Sequence, residues 1–285
     1  MCRSGRSSWL RPRSCGRFPC PVIGRSAGAP GLHPAYATER RTDDSDQCES
    51  AVGYTRGVAS PRAPIRGWFI TIEGPEGAGK TTQAAVLARH LETAGLDVRV
   101  TREPGGTWLG ERLRGVLLAR TTDGVPPDPV TDALLFNAAR RQLVSEVIRP
   151  ALEAGTTILC ARFADSTLAY QGHGAGVPLA GLRTLAALAT DGLQPDLTIL
   201  LDLPVEEGLA RVAPGDVTRF EAEFDLDFHR RVRDGFLALA AAEPARFAVI
   251  DARRPADAVA VDVAAAADRL VRAGEPKSDG MRIIG

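Results

Sequence analysis

Residues 68–81 read Trp68-Phe69-Ile70-Thr71-Ile72-Glu73-Gly74-Pro75-Glu76-Gly77-Ala78-Gly79-Lys80-Thr81. The first five are aromatic or β-branched, which reads as a strand. The last eight fit G-x-x-x-x-G-K-[ST]. Immediately afterwards, residues 83–94 place Ala84, Leu87, Ala88 and Leu91 at i, i+3, i+4 and i+7, one face of a helix. Strand, glycine-rich loop and helix form an anion cradle: glycines let successive N–H groups turn inward, and the helix adds its positive end. The stretch Gly74, Pro75, Glu76, Gly77, Ala78, Gly79, Lys80, Thr81 and Thr82 is therefore the candidate ATP-binding loop. In such a loop the ammonium of Lys80 spans the β- and γ-phosphates, and the hydroxyl of Thr81 is a candidate Mg²⁺ ligand. Lys80 is also the only lysine between residues 67 and 272, in a chain that otherwise uses arginine. Lysine is a compact point charge and arginine a planar fork, so the two are not interchangeable in a phosphate cradle.

Four further short strands are read at Val98–Thr101, Thr156–Ala161, Leu197–Leu203 and Phe247–Asp251. Helical stretches separate them, the longest predicted over Pro129–Ala154. Strands alternating with helices imply an α/β fold, here of the P-loop NTPase class: a five-stranded parallel sheet with helices on both faces. The domain spans 67–272, followed by a loose tail over 273–285.

The whole chain has 35 basic and 35 acidic residues. Residues 1–66 hold 11 Arg against 5 acids, and the remainder is acidic by the same margin. A nucleic-acid-coating protein is therefore not expected. No run of eighteen apolar residues occurs, so no membrane-spanning helix is expected. Residues 1–66 lack strand or helix periodicity and read as a disordered or non-native extension. They have either the composition of a transit peptide or that of a translated upstream region of a GC-rich gene, with a start near Val58. Cys2, Cys15, Cys20 and Cys48 match no zinc spacing. Cys160 reads as a small buried hydrophobe. None of the four histidines has ligand spacing, so no structural metal is expected.

Four segments narrow the substrate: Thr101-Arg102-Glu103-Pro104-Gly105-Gly106-Thr107, Phe136-Asn137-Ala138-Ala139-Arg140, Arg162 through Gly172, and Pro195-Asp196-Leu197-Thr198. With T-R-E-P-G-G-T and S-T-x-A-Y-Q-G in order behind a phosphate loop, residues 67–272 resemble the bacterial-type thymidylate kinases. That resemblance implies phosphoryl transfer from ATP to dTMP, giving dTDP and ADP, in a cytoplasmic homodimer that uses Mg²⁺ and has no nucleic-acid or membrane partner. It also implies residue roles. Phe136 stacks on thymine, Arg140 bonds a thymine carbonyl, and Thr167 and Gln171 face the base edge. Tyr170 packs on the deoxyribose and Glu76 contacts the 3′-hydroxyl. Pro104 and Ser166 belong to the same pocket. Arg162 holds the dTMP phosphate and is catalytic together with Lys80 and a lid arginine, Arg219.

Two departures from the family pattern stand out. The family usually has Asp before the arginine at the third strand's end, and this chain has Ala161. Asp202, with Glu73 as another candidate, is expected to supply a carboxylate near the metal. The short lid that the resemblance places at Val212–Phe220 offers only Arg219, flanked by Arg211, and Arg230, Arg231 and Arg233 read as a solvated face. A second reading, a homologue that binds nucleotides with weak or no catalysis, would follow from these two departures. A kinase for another nucleotide fits the base-facing residues less well.

Overall fold

A computed structural model describes residues 66–122 and 124–274. The expectations for the N-terminal extension, its four cysteines and the start near Val58, and for most of the tail, lie outside the described residues.

The quoted apolar run forms β1 (Phe69–Glu73), with every residue buried. Gly79 then takes φ +87° and α1 (Lys80–Thr93) begins. β2 (Val98–Arg102) precedes α2 (Trp108–Leu118), which Thr107 caps by accepting from the Gly110 N–H. α3 (Pro129–Leu143) starts with proline at its first position and Asp128 as its cap. The single long helix expected to Ala154 is interrupted: a π-helical turn, Val144–Ile148, leads into α4 (Arg149–Glu153). Pro150 has no N–H to give back along the helix, so a widened turn just before it relieves the ladder. β3 (Thr157–Ala161) and β4 (Leu197–Asp202) frame α5 (Ala164–Thr167), a second π turn over Leu168–Gly174, and α6 (Leu179–Thr190). α7 (Val205–Ala210) enters the lid region, which contains α8 (Arg219–Glu223). α9 (Leu226–Ala242), β5 (Phe247–Asp251) and α10 (Ala256–Arg272) complete the described chain.

The sheet order is β2-β3-β1-β4-β5, all parallel, as expected for this class. β1 lies at its centre, with Phe69 opposite Ile158 of β3 and Ile70 opposite Leu197 of β4. On one side, Ile70 and Ile72 pack with Leu87 and Leu91 of α1 and Val259 and Val263 of α10. Elsewhere Leu200 packs with Phe228, Val232, Phe236 and Leu239 of α9, and Phe69 and Ile158 pack with Leu143, Ile148 and Phe163. In the sheet itself Thr71 and Thr198 satisfy one another at 2.9 Å. Cys160 is fully buried. Burial pushes its thiol well above the ordinary range, so it is an inert core residue. The strands' carboxyl ends converge on one edge, where folds of this kind take their ligands.

Candidate active site

The phosphate loop leaves β1 at Gly74, whose φ of +142° favours glycine. Gly77, at φ +66°, sits where a Cβ would lie 1.9 Å from the carbonyl oxygen of Gly208 on α7. The facing Gly208 is equally constrained, since its Cβ would lie 2.4 Å from the Glu76 carbonyl oxygen. Two glycines thus let the loop rest directly on the backbone of α7. Lys80 folds back over this loop and donates to the carbonyls of Gly74 (3.0 Å) and Pro75 (2.6 Å). Burial, with Arg162 adding like-charge repulsion, lowers its pKa to about 7. Phosphate oxygens arriving beside the ammonium favour its charged form. Thr81 and Thr82 lie exposed in the first turn of α1.

Glu76 is the hub of the site, although it is 6% exposed. One carboxylate oxygen accepts from Arg162 at 3.3 Å and from the Tyr170 hydroxyl. The other faces Nδ1 of His229 at 3.4 Å. Burial alone would raise its pKa, but His229, Arg162, Lys80 and Tyr170 together hold it down at about 2. It is therefore an anion at neutral pH.

Arg162 follows β3 with φ +67°, a left-handed backbone uncommon for a residue with a side chain. Its guanidinium reaches the Gly74 carbonyl (3.4 Å) and the Ser166 hydroxyl (3.3 Å), and lies 4.9 Å from the Tyr170 ring centre. Glu73 holds this turn in place: it accepts from the Phe163 N–H (2.7 Å) and from the Ser166 hydroxyl (2.6 Å). Burial, then the nearby Asp165, raise its pKa to about 7. Ala161 offers no oxygen here, and the last residue of β1 does the orienting instead.

A cavity of about 180 Å³ opens beside this cluster. All nine expected substrate contacts line it: Glu76, Pro104, Phe136, Arg140, Arg162, Ser166, Thr167, Tyr170 and Gln171. Arg140 is buried at 1% exposure rather than at the surface, and each of its three nitrogens is engaged. It bonds Glu103 (2.8 Å), Asn137 (2.8 Å), the Phe163 carbonyl (3.0 Å) and Thr167 (3.1 Å). Glu103 thus orders the pocket wall, and burial outweighs Arg140 in raising its pKa to about 6. Phe136 stands 6.2 Å from Phe220, centre to centre. Tyr170 meets Phe220 edge-on at 5.6 Å. In the same wall, Gln171 Oε1 and Glu103 Oε1 are buried without a hydrogen-bond partner.

The lid corrects one expectation. Arg219 does not line the cavity: it is buried, paired with Asp132 at 2.7 Å, and donates to the Leu117 carbonyl. A guanidinium this deep is stable only with such partners, so it fastens the lid to α3 and α2 rather than facing phosphates. The lid residues that do face the cavity are Thr218, Phe220 and Glu221. Thr218 and Glu221 cap α8 reciprocally, a T-x-x-E pattern that is visible in the sequence. Arg114 of α2 also lines the cavity and donates to the Pro104 carbonyl at 2.9 Å. No sequence signal singles it out.

Asp202 is a second correction. Arg233 takes both its oxygens, at 2.7 and 2.9 Å, so its carboxylate is tied to α9 rather than free to approach a metal. Arg233 therefore belongs to a bridge rather than to a solvated face. Arg230, paired with exposed Glu206 and Asp227, fits the solvated reading. Among the described residues no group of three or more His, Cys, Asp or Glu could hold a metal. The donors suit Mg²⁺ nonetheless, because that ion commonly takes one or two protein oxygens and completes its shell from phosphates and water. Thr81, exposed at the loop's end, is such an oxygen.

The thymidylate kinase family model matches residues 72–263. The chain belongs to the thymidylate kinase family. It is 56% identical over 202 residues to the thymidylate kinase of Deinococcus radiodurans, covering 70% of this chain and 96% of that protein. The thymidylate kinase of Thermomicrobium roseum is 54% identical over 209 residues, covering 73% and 97%. The crystal structure of thymidylate kinase from Ehrlichia chaffeensis aligns with a TM-score of 0.56 at 34% identity, over 72% of this chain and 99% of that one. The resemblance seen in the sequence is thus borne out, and so is the P-loop sheet. No described helix is long and apolar enough to cross a membrane.

Proposed function

We propose that the protein is a dTMP kinase: it transfers the γ-phosphoryl group of ATP to dTMP, giving dTDP and ADP. The observation that carries this reading is the joining of two sites by two side chains. Glu76 and Arg162 belong at once to the phosphate-loop cluster and to the cavity wall. An acceptor bound in the cavity would present its phosphate to whatever the loop holds.

Chemistry assigns the rest. A 5′-phosphate oxygen of dTMP attacks the γ-phosphorus in line, the bond to the β-phosphate oxygen breaks, and ADP departs. The chain's part is positioning and charge neutralisation, by Lys80 from one side and Arg162 from the other. Arg114 adds a third cation at the cavity edge. Mg²⁺, held by Thr81 and the nucleotide, would offset charge on the transferred group. Thymine fits between Phe136 and the wall formed by Arg140 and Thr167. Its N3–H would supply the donor that Gln171 Oε1 lacks. Tyr170, bonded to Glu76, would pack on the deoxyribose where a 2′-hydroxyl would clash.

Exposed Val116, Leu134 and Leu188 lie on the adjoining helices α2, α3 and α6. Exposed apolar side chains on neighbouring helices support a homodimer. With ATP and a free nucleotide as substrates, the enzyme works in the cytoplasm. Against a binder without catalysis, Glu73 holds the Arg162 turn for which the Ala161 side chain has no oxygen, and Arg114 lines the cavity where the lid presents no arginine.

The test is ADP production by the purified full-length chain with Mg·ATP and dTMP, beside dUMP, dCMP, dGMP and AMP. Turnover selective for dTMP is expected. Binding of both nucleotides without turnover would overturn the reading.

A further inference from the structure

His229 has no place in the expected chemistry, yet it is 2% exposed and touches the central carboxylate of the site. It sits in the first turn of α9, just after the lid. Its Nδ1 faces Glu76 Oε2 at 3.4 Å, and its Nε2 lies 3.1 Å from the Phe220 carbonyl oxygen. Both neighbours can only accept: one is a carboxylate held ionised by Arg162 and Tyr170, the other a backbone carbonyl. At 3.4 Å Nδ1 makes an ion-pair contact and no hydrogen bond, so a neutral imidazole can give its one N–H to the Phe220 carbonyl, whereas only the imidazolium also presents a charge to Glu76. The Phe220 ring forms part of the cavity's lid side.

We propose that His229 is a positioning residue for dTMP binding, which in its doubly protonated form ties the lid at Phe220 to Glu76 of the phosphate loop. It acts through those two groups and touches no reacting atom. The inference rests on the dTMP kinase reading and adds a coupling between lid and loop.

The charged groups around the ring are consistent with this assignment. Glu76 faces it from the loop and Glu221 acts from α8. Arg162 and Tyr170 reach it only through Glu76. On its own helix the nearest ring is Phe228, edge-on at 5.4 Å. Burial alone would favour neutral imidazole, but Glu76 and the Phe220 carbonyl raise the pKa above its ordinary 6.5. The tie is therefore complete below pH 6.5 and is lost as pH rises through the elevated value.

The experiment measures KM for dTMP, KM for ATP and kcat from pH 6 to 9, for the wild type, His229→Leu and His229→Asn. The wild type is expected to bind dTMP progressively more weakly toward pH 9. His229→Leu should raise KM for dTMP about tenfold at pH 6.5, the loss typical of a charge-assisted hydrogen bond. KM for ATP should stay within about twofold of wild type, because the loop's own N–H groups hold that nucleotide. His229→Asn keeps an uncharged donor near Nδ1, so it should recover part of the affinity and lose the alkaline dependence. The substrate phosphate titrates near pH 6 in every variant, so differences between variants isolate the imidazole. Calorimetric dTMP binding supplies a readout independent of turnover.

A wild-type KM for dTMP that is flat from pH 7 to 9, or a folded His229→Leu protein with wild-type dTMP affinity, overturns the proposal. Failure of the wild type itself to phosphorylate dTMP would instead overturn the function on which it rests.

Discussion

Replacing Glu103 by alanine removes the one carboxylate that Arg140 bonds. Arg140 is 1% exposed, so its charge cannot turn to water. Its remaining partners, Asn137, the Phe163 carbonyl and Thr167, are all neutral. Breaking a buried pair from one side costs about 3–5 kcal/mol. For a domain of this size, about 2–4 °C per kcal/mol converts that into a fall in Tm of roughly 6–20 °C. Glu103→Gln behaves differently. The Glu103 pKa is raised from 4.5 to about 6, burial outweighing Arg140, so ionisation in the fold costs about 2 kcal/mol more than in water. A raised carboxyl pKa means that this stability is complete below pH 4.5 and is lost as pH rises through 6. The amide keeps an acceptor for Arg140 and does not titrate. It should therefore be milder than alanine and flatter between pH 4.5 and 6.5. Urea unfolding at pH 5 and pH 8 gives the midpoints, with unchanged slopes expected. The Glu103→Leu/Arg140→Met double variant should regain most of the loss, as neutral replacements of buried pairs do. A Glu103→Ala protein within about 1 kcal/mol of wild type at pH 8 would refute the claim that an uncompensated guanidinium sets the cost.

Other perturbations follow from the same geometry. Gly77→Ala places a methyl group 1.9 Å from a backbone oxygen at a positive φ, so the loop must move. Loss of ATP protection in a thermal-shift assay is expected, with the sheet still folded by circular dichroism. Glu73 has a pKa raised from 4.5 to about 7, so its contribution is complete below pH 4.5 and is lost as pH rises through 7. Glu73→Gln should flatten that part of the stability profile and lower kcat by releasing the Arg162 turn, as urea unfolding and steady-state kinetics would show. Phe136→Ala should raise KM for dTMP about tenfold, the scale of a lost aromatic–base stack, while leaving KM for ATP unchanged.

The central strands β1, β3 and β4 were legible because they are buried on both faces and so appear as continuous apolar runs, whereas the edge strands β2 and β5 are partly exposed and were read from their place between helical stretches. β5 has the predicted bounds, and the other four differ by one residue at one or both ends. The cavity was equally legible, since the family resemblance carried nine side chains that the fold then gathers. The ion pairs were not. Arg219–Asp132 joins residues 87 apart, Arg246–Asp165 residues 81 apart, and Arg233–Asp202 residues 31 apart. An isolated arginine in a sequence looks the same whether it faces solvent, phosphate or a distant carboxylate. The π turns left no trace either: Val144–Ile148 is as apolar as an α-helical continuation would be. His229 lay beyond reach because its partner Glu76 comes from a different element.

The strand order also bears on how the chain is made. β1 and β2 are synthesised first, yet they are not neighbours: β3 lies between them and ends at Ala161. A nascent chain that has released only the phosphate loop and β2 therefore has no sheet to build. It must wait for roughly 60 further residues, about 3–12 s of synthesis, before its central strand finds a partner. During that interval the apolar stretch 69–73 is exposed. A ribosome-bound chain stalled between residues 110 and 150 should be the form most readily captured by a holdase chaperone, and one stalled after β4 should escape it.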